Sequence, residues 1–71
     1  MPKLYSSDEI RKVLKKFGFN MTSQKGSHGK FKNDEGHIVI LPMNKKEIPF
    51  GTFRSILRQS GIDLKTFQEN V

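Results

Sequence analysis

The chain has 71 residues, which is enough for one domain with a small core and too few for a second domain. Its 13 lysine and arginine residues outnumber 7 acidic residues, so the formal net charge is +6. That excess favours polyanionic partners such as nucleic acid, or an acidic protein. Without cysteine the chain has no disulfides and no thiolate metal ligands, which fits a reducing cytoplasm. Because no long apolar run is present, we expect neither a signal peptide nor a membrane span.

A first helix is predicted at residues 6–17. Ser6, followed three residues later by Glu9, is the capping-box pattern that begins many helices. Apolar residues then recur at helical spacing and predict a buried face: Ile10, Val13, Leu14 and Phe17. Gly18 fits a C-terminal cap. The opposite side is rich in lysine, which is typical of a solvated helix surface and, less often, of phosphate contacts.

Three strands of an antiparallel meander are predicted next. Their ranges are 19–24, 27–33 and 37–41. The first alternates apolar and polar residues, so Phe19 and Met21 are expected to point inward. A turn at Lys25-Gly26 and a turn at residues 33–36 should separate the strands. The third has the strongest strand pattern in the chain, and Pro42 should end it.

A second helix is predicted at residues 49–60 and a short third helix at 63–69. Pro49 suits a first helical turn, and Asp63 is a suitable N-cap. The residues expected to face the core from these helices are Phe53, Ile56, Leu57, Leu64 and Phe67. A three-stranded meander needs helices on one of its faces to bury its apolar side chains. The predicted fold is therefore α+β, with a helix, three strands, a helix and a short helix in one domain.

The segment around His28 combines an imidazole with cations on one probable strand. The two-residue period of a strand places His28, Lys30 and Lys32 on one side, and Gly29 and Phe31 on the other. An imidazole both accepts and donates protons near pH 7, and neighbouring lysines attract phosphate. This combination suits RNA chemistry. The competing interpretation is a solvated polar face without catalytic function.

Two sequence motifs resemble the HicA family of bacterial toxins, also described as YcfA-like. They are Gln24-Lys25-Gly26-Ser27-His28 and the stretch from Gly51 to Gly61. The resemblance extends over nearly the whole chain, and the two motifs at their mutual separation are more specific than either one alone. It implies a fold like the double-stranded-RNA-binding domain and a metal-independent endoribonuclease, or mRNA interferase. It also implies an antitoxin partner of the HicB type.

The resemblance assigns the catalytic role to His28, the histidine of the Gly-Ser-His motif. At two positions the chain departs from many family members, which carry histidines there. These positions hold Gly29, directly after His28, and Asn44, after the third strand. His28 is consequently the only motif histidine of this chain. His37, at the start of the third predicted strand, is interpreted as a surface residue.

The chemistry we expect is attack of a ribose 2′-hydroxyl on the adjacent phosphate. His28 would accept the hydroxyl proton or protonate the leaving oxygen, and Lys25, Lys30 or Lys32 would stabilise the anionic transition state. The general acid is left open between Lys30 and solvent. The expected RNA-binding set is Lys25, Ser27, Lys30, Lys32, Lys45, Lys46 and Arg54. Lys45 and Lys46 are expected to meet phosphate beside the start of the second helix.

No cofactor and no metal ion are expected. The acidic residues are scattered through caps, turns and the C-terminal segment, whereas a Mg²⁺ site needs converging carboxylates. Two functional classes compete with the ribonuclease. One is a non-catalytic module that holds double-stranded RNA through phosphates and 2′-hydroxyls. The other is a basic protein-interaction domain that docks an acidic partner. An antitoxin that covers the His28 face is compatible with the ribonuclease hypothesis.

Overall fold

The computed structural model describes residues 3–71. In chain order its elements are α1 (Ser7–Lys16), β1 (Asn20–Lys25), β2 (His28–Lys32), β3 (Ile38–Pro42), α2 (Phe50–Ser60) and α3 (Leu64–Asn70). The strands form one antiparallel sheet in the order β1-β2-β3. This confirms the α+β class predicted from the sequence, and the arrangement resembles the double-stranded-RNA-binding domain. The ends of the elements lie within one residue of the predicted ranges.

The start of α1 is fixed by a reciprocal capping box. The Glu9 amide donates to Ser6 Oγ at 3.1 Å, and the Ser6 amide donates to Glu9 Oε1 at 3.0 Å. The helix buries Ile10 among its inward residues, whereas Phe17 is 39% exposed. The expectation that Phe17 belongs to the buried face is wrong, because Phe17 is the C-cap residue and the chain turns away after it. Gly18 follows with a φ of +86°.

The helices cover the sheet unevenly. Both α1 and α2 pack on β3, while all six residues of β1 are exposed. Met21 is consequently 40% exposed, although its pairing with Phe31 places it on the helix side of the sheet. Met21 therefore points inward as expected, but the expectation that it is buried is wrong. Phe19, directly before β1, is only 2% exposed and belongs to the core.

The β1–β2 turn consists of Gly26 and Ser27, one residue later than predicted, since Lys25 pairs with His28. Gly26 has a φ of +59°, which a two-residue hairpin turn with glycine at its first central position requires. A bulge between Met21 and Ser23 interrupts the regular pairing of β1 with β2. The turn places the start of β2, and thus His28, at one end of the sheet.

The C-terminal helices close the core from one side. The ring of Phe67 lies 5.0 Å from Tyr5 and 4.9 Å from Phe53, measured between ring centroids. Leu64 is 43% exposed, so the expectation that it folds onto the core is wrong. Leu64 is the first residue of α3, and Phe67, one turn later, occupies the inward side. None of the helices in residues 3–71 is long and apolar enough to cross a membrane.

Candidate active site on the outer face of the sheet

His28 is the first residue of β2, and its side chain is exposed on the side of the sheet that no helix covers. Directly opposed residues on antiparallel neighbours share a face. His28 therefore stands between Lys25 of β1 and Pro42 of β3. Lys30 and Lys32 follow on the same side of β2, as the alternation in the sequence predicts. The structure thus brings four of the predicted site residues together on one surface.

We call this surface the outer face, and its register forms three rungs across the sheet. The rungs are Lys25-His28-Pro42, Ser23-Lys30-Ile40 and Asn20-Lys32-Ile38. Read along the strands, β1 contributes polar side chains, β2 a histidine and two lysines, and β3 an apolar row. None of these nine residues is acidic. In residues 3–71 the only ion pairs within 4.0 Å are Lys3–Glu9 and Arg11–Asp8, so the lysines of the outer face are not neutralised.

The opposite side of β2 belongs to the inner face, which the helices cover. Gly29 and Phe31 are buried there. A Cβ atom at Gly29 would lie 3.1 Å from Phe31 Cε1, 3.2 Å from Met43 Sδ and 3.3 Å from Met21 Cε. A histidine at this position would therefore point away from His28. The departure from the family at Gly29 removes no imidazole from the outer face.

The loop after β3 is tied to the His28 end of the sheet and to α1. The Met43 amide donates to the Ser27 carbonyl at 2.6 Å, which holds the loop beside the β1–β2 turn. Asn44 follows with a φ of +61°, a left-handed conformation that asparagine tolerates better than most residues. Asn44 therefore lies at the same end of the sheet as His28.

Ser7 is the residue that joins this loop to α1. Its hydroxyl donates to the Pro42 carbonyl at 2.6 Å and accepts from the Lys45 amide at 3.0 Å. Its amide donates to the Lys45 carbonyl at 2.9 Å. Only 2% of Ser7 is exposed, so these bonds are shielded from water. They determine where the loop lies relative to the sheet.

Lys45 and Lys46 lie beside the start of α1. Together with Asn44 and residues 6–8, they line an open cleft of about 310 Å³. These lysines therefore lie beside the N-terminus of α1, a neighbour that the sequence analysis did not name, and phosphate contact at the start of the second helix stays a prediction. Hydrogen bonds over 35 and 38 residues of sequence separation decide this position, and no local pattern in the sequence indicates them.

Arg54 is not part of the outer face. It is an exposed residue of α2, which packs on the inner side of β3. The neighbouring Arg58 donates from Nη2 to Ser55 Oγ at 3.3 Å. Arg54 therefore lies on the helix-covered side of the sheet, apart from Lys25, Lys30 and Lys32 of the outer face.

His37 lies at the opposite end of the β2–β3 hairpin from His28, beyond the Lys32–Ile38 pair. Its amide donates to Asn33 Oδ1 at 2.8 Å, and its Nδ1 lies 3.1 Å from the Ser60 carbonyl. His37 is thus held at the C-terminal end of α2. In residues 3–71 the histidine and acidic side chains form no group of three or more that could hold a metal ion.

Sequence reasoning missed two parts of this site. The first is the apolar row of β3, in which Ile38 and Ile40 are each 41% exposed. The alternation of β3 contains the signal, because Val39 and Leu41 are buried and their neighbours must face outward. Because every residue of the strand is apolar, the composition does not show which residues face outward. The second is Ser7, whose role depends on residues distant in the sequence.

One ionisable group at the start of α1 is clearly perturbed. The hydrogen bond from the Ser6 amide lowers the pKa of the Glu9 carboxyl, and Lys3 adds to this effect. A carboxylate in the first turn also interacts favourably with the positive end of the helix. Glu9 therefore supports the α1 terminus on which the Lys45 loop is docked.

A family model described as the HicA toxin of bacterial toxin–antitoxin systems matches residues 7–62 of the chain. The chain belongs to the HicA toxin family. The matched region contains α1, the whole sheet and α2, and it includes both the Gly-Ser-His segment and the Gly51–Gly61 stretch. This HicA family member is thus the toxin of a toxin–antitoxin pair, with an antitoxin as its partner. A comparison with curated proteins finds no match.

Proposed function

We propose that this toxin is a cytoplasmic endoribonuclease that cleaves mRNA without a metal ion and uses His28 for proton transfer. One observation carries the proposal. The exposed imidazole of His28 stands beside Lys25 on a face that also presents Lys30 and Lys32, with no carboxylate to neutralise them. Such a surface attracts the phosphates of RNA and supplies a group that exchanges protons near neutral pH.

The reaction we propose is an internal transfer of the phosphoryl group. The 2′-oxygen attacks the adjacent phosphorus while the bond from phosphorus to the 5′-oxygen of the next nucleotide breaks. The products are a 2′,3′-cyclic phosphate and a 5′-hydroxyl. His28 takes the proton from the 2′-hydroxyl or delivers one to the departing 5′-oxygen, and proton transfer of this kind contributes about 10²–10⁴-fold to the rate.

The lysines supply electrostatic stabilisation. Lys25 opposes His28 directly across β1 and β2, and Lys30 lies one rung further along. Cations held next to the phosphate stabilise the additional negative charge that develops in the transition state. The second proton-transfer group is Lys30 or a water molecule. We further propose that an antitoxin of the HicB type inhibits the toxin by covering the outer face.

A substrate modified at the 2′-position tests the chemistry. Purified protein is incubated with a single-stranded RNA and with the same sequence carrying 2′-deoxyribose throughout, each with and without a metal chelator. We expect cleavage of the RNA only, unaffected by chelation, and fragments that end in 2′,3′-cyclic phosphate. Cleavage of the deoxy strand, or fragments that carry 5′-phosphate, would contradict the proposed reaction.

A non-catalytic RNA-binding module is the competing function, because the lysines of the outer face would hold RNA without any chemistry at His28. The His28→Ala variant separates the two. Equal RNA binding with lost cleavage supports the ribonuclease, and cleavage by neither protein supports the non-catalytic module. Equal cleavage by both proteins would contradict a catalytic role of His28. Binding of an acidic protein with no RNA affinity even at low salt would identify a protein-interaction domain instead.

A further inference from the structure

We propose that the outer face binds single-stranded RNA, with phosphates along the β2 row and bases along the apolar β3 row. This inference rests on the proposed ribonuclease function and names its substrate class and its base-contacting residues. The β2 row consists of His28, Lys30 and Lys32. The β3 row consists of Pro42, Ile40 and Ile38.

The register of the sheet aligns the two rows rung by rung. His28 opposes Pro42, Lys30 opposes Ile40, and Lys32 opposes Ile38. Neighbouring strands lie about 4.8 Å apart, and alternate residues along one strand repeat about every 6.8 Å. Each rung therefore offers one polar or cationic group and, beside it, one apolar group. A chain with one phosphate and one base per repeat matches this alternation.

The fold does not require apolar side chains at the exposed positions of Ile38 and Ile40. Val39 and Leu41, which alternate with them on β3, are fully buried and already supply the contribution of this strand to the core. Ile38 and Ile40 present their side chains to water beside a row of cations. Apolar side chains that flank a basic row suit the faces of unstacked bases whose phosphates bind the cations.

Duplex RNA cannot place its bases against the β3 row while its phosphates contact the β2 row. In an A-form helix the bases stack on one another, and the accessible groove displays hydroxyls and phosphates. The isoleucines would then face polar groups. A single strand can turn its bases toward β3 while its phosphates remain over β2. The chemistry also favours an unpaired strand, because in-line attack requires a flexible sugar–phosphate segment at His28.

The free edge of β3 argues against a partner protein that adds a strand to the apolar row. The Ile40 amide donates to Gln59 Oε1 at 3.1 Å, and the Pro42 carbonyl accepts from Ser7 Oγ at 2.6 Å. Pro42 itself has no amide hydrogen. The edge thus offers no free amide donor at two of its three outward positions, and strand addition depends on such groups. RNA recognition through side chains needs none of them.

The test measures binding independently of cleavage. A short fluorescein-labelled 2′-O-methyl RNA, which cannot undergo 2′-hydroxyl attack, is titrated by fluorescence anisotropy as a single strand and as a duplex. The variants are Ile40→Thr, which keeps the β-branch but removes apolar surface, and Ile40→Tyr, which adds an aromatic face. Leu64→Thr, at an equally exposed leucine on α3, is the matched control. Circular dichroism melting verifies that each variant is folded.

We expect the wild-type protein to bind the single strand about tenfold more tightly than the duplex. Because bases stack more strongly on an aromatic ring than on an aliphatic side chain, Ile40→Tyr should strengthen single-strand binding about five- to tenfold. Ile40→Thr should weaken it about three- to tenfold, since an aliphatic contact contributes less than an aromatic one. Neither variant should alter duplex binding, and Leu64→Thr should alter neither affinity.

Equal affinity for duplex and single strand would overturn the inference. So would single-strand binding that is the same in Ile40→Thr, Ile40→Tyr and wild type. A face on which these variants weaken only the complex with the antitoxin would be a protein-docking surface, and the base row would be refuted. If binding behaves as expected but unmodified RNA is never cleaved, the proposed ribonuclease fails while the binding mode stands.

Discussion

The two ends of the β2–β3 hairpin each carry a histidine, and the surroundings of the two rings differ. At one end, the His37 ring lies 3.1 Å from the Ser60 carbonyl, and the His37 amide is bound by Asn33. At the other end, the His28 side chain forms no hydrogen bond within residues 3–71 and stands beside Lys25. The same residue type therefore ties two elements together at one end and is available to a ligand at the other.

This difference assigns separate roles to the two ends. An imidazole that is bound to a helix C terminus contributes to stability, because its ring nitrogen pairs with a carbonyl that the helix leaves unpaired. An imidazole that is exposed among cations can exchange protons with a bound phosphodiester. Four predictions test this division, from the largest expected effect to the smallest.

Substitution of the two histidines should separate activity from stability. His28→Ala should reduce RNA cleavage about 10²–10⁴-fold, because the proposed role of this side chain is proton transfer. The melting temperature should change little, because the side chain is exposed. His37→Ala should retain most of the activity and lower the free energy of unfolding by about 1 kcal/mol, the usual contribution of one hydrogen bond. Cleavage assays and thermal melts check both variants. Loss of activity in His37→Ala with retained activity in His28→Ala would reverse the assignment.

Removal of the Ser7 hydroxyl should destabilise the His28 end specifically. Ser7→Ala leaves the Pro42 carbonyl and the Lys45 amide without their buried partner, and such losses cost about 1–3 kcal/mol. RNA affinity should also fall, because the loop with Lys45 and Lys46 loses the two hydroxyl bonds that help to hold it against α1. Urea unfolding and RNA titration measure the two effects. Ser55→Ala, at a half-buried hydroxyl of α2, is the control and should change neither quantity appreciably.

A buried glycine of the sheet and an exposed glycine of α2 should respond oppositely when a methyl group is added. Gly29→Ala places a Cβ within 3.1–3.3 Å of Phe31, Met43 and Met21 on the inner face. Because the methionines can shift but the ring of Phe31 is confined, we expect a loss of about 1 kcal/mol of stability. Gly51→Ala, where a Cβ meets nothing within 4 Å inside α2, should gain about 0.5–1 kcal/mol. Unfolding curves for both proteins measure these changes in stability. A stabilised Gly29→Ala would contradict the packing described for the inner face.

The smallest effect concerns the pH dependence of the α1 terminus. The hydrogen bond from the Ser6 amide lowers the pKa of Glu9, so the folded state binds the charged carboxylate more favourably than the unfolded chain does. This contribution is present above the ordinary glutamate pKa and disappears as the pH falls through the lowered value of the folded state. Glu9→Gln should therefore cost about 0.5 kcal/mol at neutral pH, and the difference from wild type should vanish in acid.

Glu69→Gln, which removes an exposed carboxylate from α3, is the control variant for the loss of one negative charge. Chemical unfolding at a series of pH values gives the free energies for all three proteins. A difference between wild type and Glu9→Gln that is independent of pH would show that the carboxylate does not stabilise the helix start through its charge.

The sequence predicts those parts of the site that depend on local periodicity. The alternation of β2 separates His28 from Gly29, and the Ser6–Glu9 spacing predicts the capping box, because both depend on residues within a few positions. The exposure of Met21 was not predictable in this way, since it depends on which strands the helices cover. The position of Lys45 depends on a bond to Ser7 from 38 residues earlier in the chain.

The outer face depends both on local sequence periodicity and on contacts between distant parts of the chain. Its cationic row follows from alternation along one strand, whereas its rungs follow from the register between strands. The register is a tertiary property, which is why Ile40 beside Lys30 became visible only in the folded chain. This neighbour relationship carries the proposal about base contacts.

Nuclear magnetic resonance of the two imidazole rings tests the central claim most directly. The side-chain signals of His28 and His37 are assigned, and uncleavable 2′-O-methyl RNA is then added to the folded protein. The account predicts that the His28 ring signals shift progressively to saturation, whereas the His37 signals keep their positions because that ring remains bound to the end of α2. Shifts confined to His37, with His28 unchanged at saturating RNA, would contradict the placement of the active site on the outer face.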